Sequence, residues 1–186
     1  MGIFIKKTAS TNENINKWSI IYKSEVPEYI DAANKIYNKE YDSAITDLKN
    51  QLKNTSQIDF QILSMIHINL MQAYFKNRDA HLEYFELSNY HAKEALKFGH
   101  NTGLAPFRLI VNLEKQNKLN QAIEVCYIVT DENYKFSIHG YKQKEEFVER
   151  LEKLKLRLKK NGDINNATLF SEEERRMTIE NSIRNK

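Results

Sequence analysis

Residues 104–129 read LAPFRLIVNLEKQNKLNQAIEVCYIV, and this stretch decides the fold of the chain. Its apolar residues recur at helical spacing in two runs, which a polar link over residues 115–118 separates. The link contains neither Gly nor Pro, and two helices joined by so short a connection pack antiparallel. The small side chain of Ala122 lets the two helices approach closely. We therefore predict a helix–turn–helix unit of a helical repeat protein.

The rest of the chain has the same helical character. Its two Pro and five Gly stand near helix starts, in links or at the terminus, and none interrupts a helical pattern, as an all-α protein requires. Besides the quoted pair, the spacing of apolar residues predicts helices over residues 27–38, 41–54, 58–76, 80–98 and 141–160. We expect Leu82 to face inward in the fourth helix.

The two ends of the chain are the least helical parts. Residues 1–24 form an N-terminal segment whose polar composition predicts that it is partly loose. Residues 161–186 form a C-terminal tail, in which Ser171 and Glu174 match a capping box. The box predicts a short last helix that ends near residue 183 and has few apolar residues to bury.

Composition excludes several classes of protein. The net charge of +3 and the isoelectric point of about 8.8 fall short of the imbalance expected of a dedicated nucleic-acid binder. A single cysteine, Cys126, excludes an intrachain disulfide and a zinc site made of cysteines only. No apolar run is long enough to cross a membrane or to serve as a signal peptide, so we expect no membrane partner and a cytoplasmic location.

The residues that carry chemistry are scattered. The five histidines lack the H-E-x-x-H and Glu-x-x-His spacings of metal sites, and the five glycines cannot build a phosphate-binding loop. Cys126 falls on the apolar face of a predicted helix, which argues against a nucleophile. We therefore expect no catalytic residue, no metal, no cofactor and no enzymatic activity.

An internal similarity indicates a known family. Tyr41-x-x-Ala44-Ile45 and Leu119-x-x-Ala122-Ile123 share one pattern, and Ala44 and Ala122 stand 78 positions apart. This is consistent with two repeats of about 39 residues, and the tetratricopeptide repeat has a period of about 34 and such an Ala in its second helix. Residues 25–160 therefore resemble the tetratricopeptide-repeat family. The resemblance implies a right-handed α-solenoid of about three antiparallel helix pairs, closed by a capping helix over residues 141–160. A general α-solenoid is the alternative, because the family's Trp-x-x-Leu-Gly opening is absent.

The resemblance also implies where a partner would bind, because the first helix of each pair lines a concave groove in this family. Some members hold a terminal carboxylate there with Lys, Asn and Arg, but the two Lys positions hold Ile30 and Leu104 in this chain. Amides and one Arg beside aromatic rings suit a peptide with an apolar anchor better. The candidate lining residues on this register are Asn34, Tyr37, Asn69, Gln72, Phe75, Phe107 and Arg108.

We therefore expect a non-catalytic adaptor that binds a protein or peptide partner. The alternative, that the lining residues merely pack between helices, stays open.

The seventh predicted helix allows two further interpretations. Phe147, Leu151, Leu154 and Leu158 form a heptad-like seam, which either caps the repeats of its own chain or joins two chains in a homodimer through residues 147–158. The same helix carries a run of Lys and Arg that would suit nucleic acid. Glu residues of that helix oppose this charge, so we rank nucleic acid below a protein partner.

Overall fold

The computed structural model describes residues 27–57, 59–137, 140–161 and 168–184. Within these residues it contains eight α-helices and no β-strand, which confirms the predicted all-α class. The predicted N-terminal segment, residues 1–24, lies outside the described residues. In chain order the helices are α1 (Pro27–Tyr37), α2 (Tyr41–Asn54), α3 (Phe60–Lys76), α4 (Tyr84–Lys97), α5 (Leu104–Lys115), α6 (Leu119–Thr130), α7 (Lys144–Asn161) and α8 (Glu172–Arg184).

Packing follows the order of the chain from α1 to α7. Each of these helices lies against the next one, α1 also touches α3, and α8 returns to lie on α4 and α6. The buried apolar side chains form two cores: a smaller one from α1, α2 and α3, and a larger one that extends from α3 to α7 and includes Tyr134 and Phe170. Helix α3 contributes to both cores, with Ile66 and Leu70 in the smaller and Ile68 and Met71 in the larger.

The turns α1–α2 and α5–α6 have the same construction. Lys39 and Asn117 adopt left-handed conformations, with φ of 68° and 57°. In each turn the next backbone N–H, that of Glu40 or Lys118, reaches back to a carbonyl in the last turn of the preceding helix, at 2.8 Å and 2.9 Å. This is the Schellman closure, which satisfies carbonyls that the helix end leaves free. The two turns stand 78 positions apart, as do the fully buried Ala44 and Ala122 that follow them.

The fourth helix begins later than its sequence predicts. It was expected from residue 80 with Leu82 inward, but α4 begins at Tyr84 and Leu82 is 99% exposed. Two short turns precede it, closed by the bonds from Ala80 N to the Asn77 carbonyl and from Tyr84 N to the His81 carbonyl, both 3.0 Å. Leu82 matches helical spacing but stands in a turn. The spacing of apolar residues alone therefore does not locate the start of a helix.

The third and seventh helices also begin later than predicted. Helix α3 was expected from residue 58 and starts at Phe60, because the Asp59 side chain accepts a bond from Ile62 N at 3.2 Å and caps the helix. Helix α7 was expected from residue 141 and starts at Lys144. The residues before it are held by the turn that leads into α5, where Lys142 N donates to the Thr102 carbonyl at 3.1 Å.

The C-terminal tail contains a well-formed helix. The predicted capping box is present, since Ser171 N donates to Glu174 Oε2 at 2.9 Å and Glu174 N to Ser171 Oγ at 3.1 Å. Helix α8 lies on α4 and α6, and the side chains that it buries there are Thr178, Asn181 and Ser182. These residues are polar, so apolar periodicity gives no signal for this contact.

Candidate partner-binding groove

Three helices carry the candidate lining residues. Asn34 and Tyr37 lie on α1, where both are exposed. The other five, on α3 and α5, are all half-buried: Asn69, Gln72, Phe75, Phe107 and Arg108. Because these polar and aromatic side chains are only half-buried, a partner can contact them, while their neighbours restrict their motion.

The structure brings two of the candidates into direct contact. The guanidinium carbon of Arg108 lies 3.8 Å from the centroid of the Phe75 ring, which joins α5 to α3. Arg78, in the turn after α3, lies 4.5 Å from the same centroid and donates from Nη1 to the Phe75 carbonyl at 2.8 Å. Two guanidinium groups therefore share one aromatic ring.

Positive charge concentrates around Phe75. Burial lowers the pKa of Arg108, and Arg78 lowers it further, while Tyr141 acts in the opposite sense. Partial desolvation and then Arg108 lower the pKa of Lys76, which lies exposed at the end of α3. Among the described residues the carboxylate paired with this group is that of Asp79, which is 91% exposed and 4.0 Å from Arg78 Nε. The cations of this cluster thus repel one another and are poorly neutralised.

A second aromatic cluster surrounds Phe107. Its ring meets Tyr141 edge-on at 5.5 Å, and Lys142 Nζ and Arg150 Cζ lie 5.3 Å and 5.4 Å from its centroid. Arg150 is neutralised, because its guanidinium binds Glu114 through two bonds of 3.0 Å and 2.9 Å. The Phe107 ring and the Arg150–Glu114 pair therefore connect α5 to α7.

A cavity of about 350 Å³ lies between α5 and α7 beside Phe107. This volume is at the lower end of the range for small-molecule sites and suits a few side chains of a peptide. Lys142 is paired with Glu146 there. The lining residues are Phe107, Glu114, Lys142, Glu146, Phe147, Glu149, Arg150, Lys153, Leu154 and Arg157. We call this cavity and the cluster of Arg78 and Arg108 on Phe75 the groove; α5 contributes Phe107 to the cavity and Arg108 to the cluster.

The seam of α7 faces its own chain. Phe147, Leu151 and Leu154 are buried in the larger core, and Leu158 packs against that core. This is the packing that the capping interpretation predicts. A homodimer through residues 147–158 would first have to separate these side chains from the core.

His67, His91 and Cys126 are buried in the interior. His67 and His91 form one buried pair, with their Nδ1 atoms 2.8 Å apart. Burial is the main cause that lowers the pKa of His67 to about 4 and of His91 to about 3. Burial also raises the pKa of the Cys126 thiol to about 12, so this residue is a poor nucleophile. In the described part of the chain, no group of three or more His, Cys, Asp or Glu side chains is arranged to hold a metal ion.

Sequence reasoning missed four residues of the groove: Lys76, Arg78, Tyr141 and Arg150. Lys76 is the last residue of α3, and Arg78 lies in the turn after it. In the sequence, residues 77–79 are all polar and indicate only that a helix ends there. Arg150 reaches Phe107 from α7, and Tyr141 reaches it from the residues before α7. The spacing of apolar residues within one helix gives no information about contacts between side chains of different helices.

Comparison of the chain with protein-family models, curated proteins and solved structures gives no match. No helix among the described residues has the length and apolar character needed to cross a membrane.

Proposed function

We propose that the chain is a non-catalytic, cytoplasmic adaptor that binds a peptide or helix of a partner protein in the groove along α3, α5 and α7. In this proposal the helices form a right-handed, tetratricopeptide-like solenoid of three antiparallel pairs, which α7 caps. The partner's apolar anchor lies near Phe107, and an acidic group of the partner meets Arg108.

The matched turns support the repeat part of the proposal. Lys39 and Asn117 occupy the same conformation 78 positions apart, and each precedes a second helix that begins two residues later. The equivalent Ala44 and Ala122 are both fully buried. Two units that share a turn, a helix start and a buried small residue are what a repeat architecture requires.

The single observation that carries the binding proposal is the guanidinium of Arg108 on the Phe75 ring. A half-buried Arg108 has a second Arg and a Lys beside it, and the carboxylate paired with this group in the described chain is the exposed Asp79, 4.0 Å from Arg78. A partner carboxylate would supply charge-assisted bonds to the guanidinium fork. Arg and aromatic residues at the centre of an interface also contribute most of the binding energy in known complexes.

The proposal can be tested by selecting binding peptides from a random display library on the full-length chain. We expect the selected peptides to combine an aromatic or aliphatic residue with an acidic one. R108E should weaken their binding by at least about tenfold, because it replaces an attraction with a repulsion in a partly desolvated site. Lys115 is exposed at the end of the same helix, so K115E makes the same charge change outside the groove and should leave binding unaltered.

Two results would contradict the proposal. One is a set of selected peptides that bind folded R108E as tightly as they bind the wild-type chain. The other is a failure of selection together with salt-sensitive retention of the chain on duplex DNA or RNA, which would favour the basic face of α7 instead.

A further inference from the structure

Residues 168–184 lie on α4 and α6 in the manner of a bound peptide. The carboxylate of Glu124, on α6, accepts the backbone N–H groups of Leu169 and Phe170 at 2.7 Å and 3.0 Å. Its Oε1 also accepts a bond from Arg175 Nη2 at 2.7 Å. One side chain therefore recognises two successive main-chain donors, a contact that depends little on the sequence of the segment.

Phe170 is the apolar anchor of this segment. Its ring is 2% exposed and belongs to the larger core, although the described residues next to it in the chain are half-buried or exposed. Lys93 Nζ, on α4, lies 5.0 Å from the ring centroid. An aromatic side chain inserted into a site with a cation above it is a common anchor in peptide recognition.

An ionic contact follows the anchor. Glu174 binds Lys93 at 2.9 Å and Lys97 at 3.2 Å, and it also caps the start of α8. Burial opposes ionisation of Glu174, but the bonds from Lys93, from the Ser171 backbone and from Lys97 outweigh burial and lower its pKa to about 2. Two lysines of α4 thus select an acidic residue at the first turn of a docked helix.

Beyond its first turn, α8 is held by hydrogen bonds and by Ile179, which packs against the larger core. Asn181 Nδ2 donates to the Lys97 carbonyl at 2.7 Å, and Asn101 Nδ2 donates to the Ser182 carbonyl at 3.1 Å. Met177 and Ile179 are only half-buried, and Ile183 is exposed. Phe170, Leu169 and Ile179 are the side chains of this segment that pack on the larger core, and the last two are only half-buried. Because this apolar area is small, the segment should open at a lower free energy than the helices beneath it.

We propose that the surface of α4 and α6 is a peptide-docking site, which residues 168–184 occupy as an internal ligand. The partner that fits it is a segment with an aromatic anchor followed by a Ser-capped helix with acidic residues in its first turn. Such a segment replaces the internal one when it is offered at sufficient concentration. The site is separate from the groove, which lies on α3, α5 and α7.

The test uses a labelled synthetic peptide with the sequence of residues 168–184 and the full-length chain, and measures binding by fluorescence anisotropy. The wild-type chain should bind the peptide weakly, because the tethered segment competes at a millimolar effective concentration. F170A in the chain weakens the internal ligand and should tighten binding of the peptide by about tenfold or more. E124Q added to F170A should reverse this gain, and a peptide that itself carries F170A should not bind.

A second variant covers the case in which F170A does not fold. S171A/E174Q removes the cap and the contact with the two lysines while it leaves the buried ring in place, and it should also tighten binding of the peptide. R108E changes only the groove, so its full-length chain should bind the peptide as the wild type does. Absence of peptide binding by both folded variants, or binding that E124Q leaves unchanged, would overturn the proposal and identify α8 as a permanent part of the fold.

Discussion

At the scale of single residues, the contact between His67 and His91 is the most constrained feature of the interior. Two ring nitrogens 2.8 Å apart share one hydrogen bond only if one imidazole donates and the other, in its neutral form, accepts. The rings are also fixed by stacking, His67 on Phe98 and His91 on Tyr74. Protonation of the accepting Nδ1 would place two donors face to face, and a charge on either ring would be buried.

This pair predicts a loss of stability in mild acid. Burial, and after it the charge of Lys97, lowers the pKa of His67 from the ordinary value of 6.5 to about 4. Burial, and after it His67 and Lys49, lowers the pKa of His91 to about 3. The unfolded chain therefore takes up protons that the folded chain does not, and stability that is complete above pH 6.5 decreases as the pH falls toward 4. Between pH 7 and pH 5 we expect a loss of about 2 kcal/mol for each of the two histidines.

Urea unfolding at the two pH values measures this loss. Burial also lowers the pKa of His100 to about 4, so this histidine adds a loss of similar size. H67Q should therefore reduce the total loss by about a third, whereas H81Q, which changes an exposed histidine, should leave it unaltered. An equal loss in the wild type and in H67Q would show that other groups cause the pH dependence.

At the scale of elements, the link between α4 and α5 depends on one glycine. Gly103 has φ of +79°, and a Cβ atom there would lie 2.5 Å from the Lys142 carbonyl oxygen, which is backbone and cannot turn away. This close approach lets residue 142 bond to the Thr102 carbonyl and sets where α7 begins.

G103A should therefore destabilise the chain by roughly 2–4 kcal/mol, the sum of left-handed strain and displaced backbone. Gly99 has a similar φ of +83°, so G99A reports the cost of the conformation itself, about 1–2 kcal/mol. Thermal unfolding followed by circular dichroism compares the stabilities of G103A and G99A. Equal losses would mean that the backbone at Lys142 moves aside without a cost in free energy.

The same elements show what periodicity can predict. The bounds of α2 and the pair α5 and α6 follow from their own sequences, because each has an apolar face and a polar link at its end. The position of α8 does not, because hydrogen bonds from Asn181 to the Lys97 carbonyl and from Asn101 to the Ser182 carbonyl help to fix it. The cluster of Arg78 and Arg108 on Phe75 is equally invisible, since it exists only after α3 and α5 have packed.

At the scale of the whole molecule, the two cores have different sizes and both contain buried residues of α3. Helix α4 also packs on both, with Tyr84 and Leu87 against the smaller core and Ala92 and Leu96 in the larger one. The smaller core holds α1 and α2 against one face of α3, while the larger core is covered on further sides by α7 and by Phe170. Units that contact only their neighbours can open from the less covered end without loss of the rest. The α1–α2 end should therefore open before α5 and α6 do.

The matched positions of the two turn-linked pairs allow this to be tested. Ile45 and Ile123 are both buried and stand 78 positions apart, each next to a fully buried Ala. I45A and I123A remove the same atoms, and each should cost about 2–5 kcal/mol locally.

Because Ile45 belongs to the smaller core, I45A should speed amide hydrogen exchange in α1 and α2 and leave α5 and α6 protected. Because Ile123 belongs to the larger core, I123A should speed exchange from α3 through α7. Hydrogen exchange followed by mass spectrometry resolves these segments, and a uniform increase across all helices in I45A would show instead that the two cores unfold as one unit.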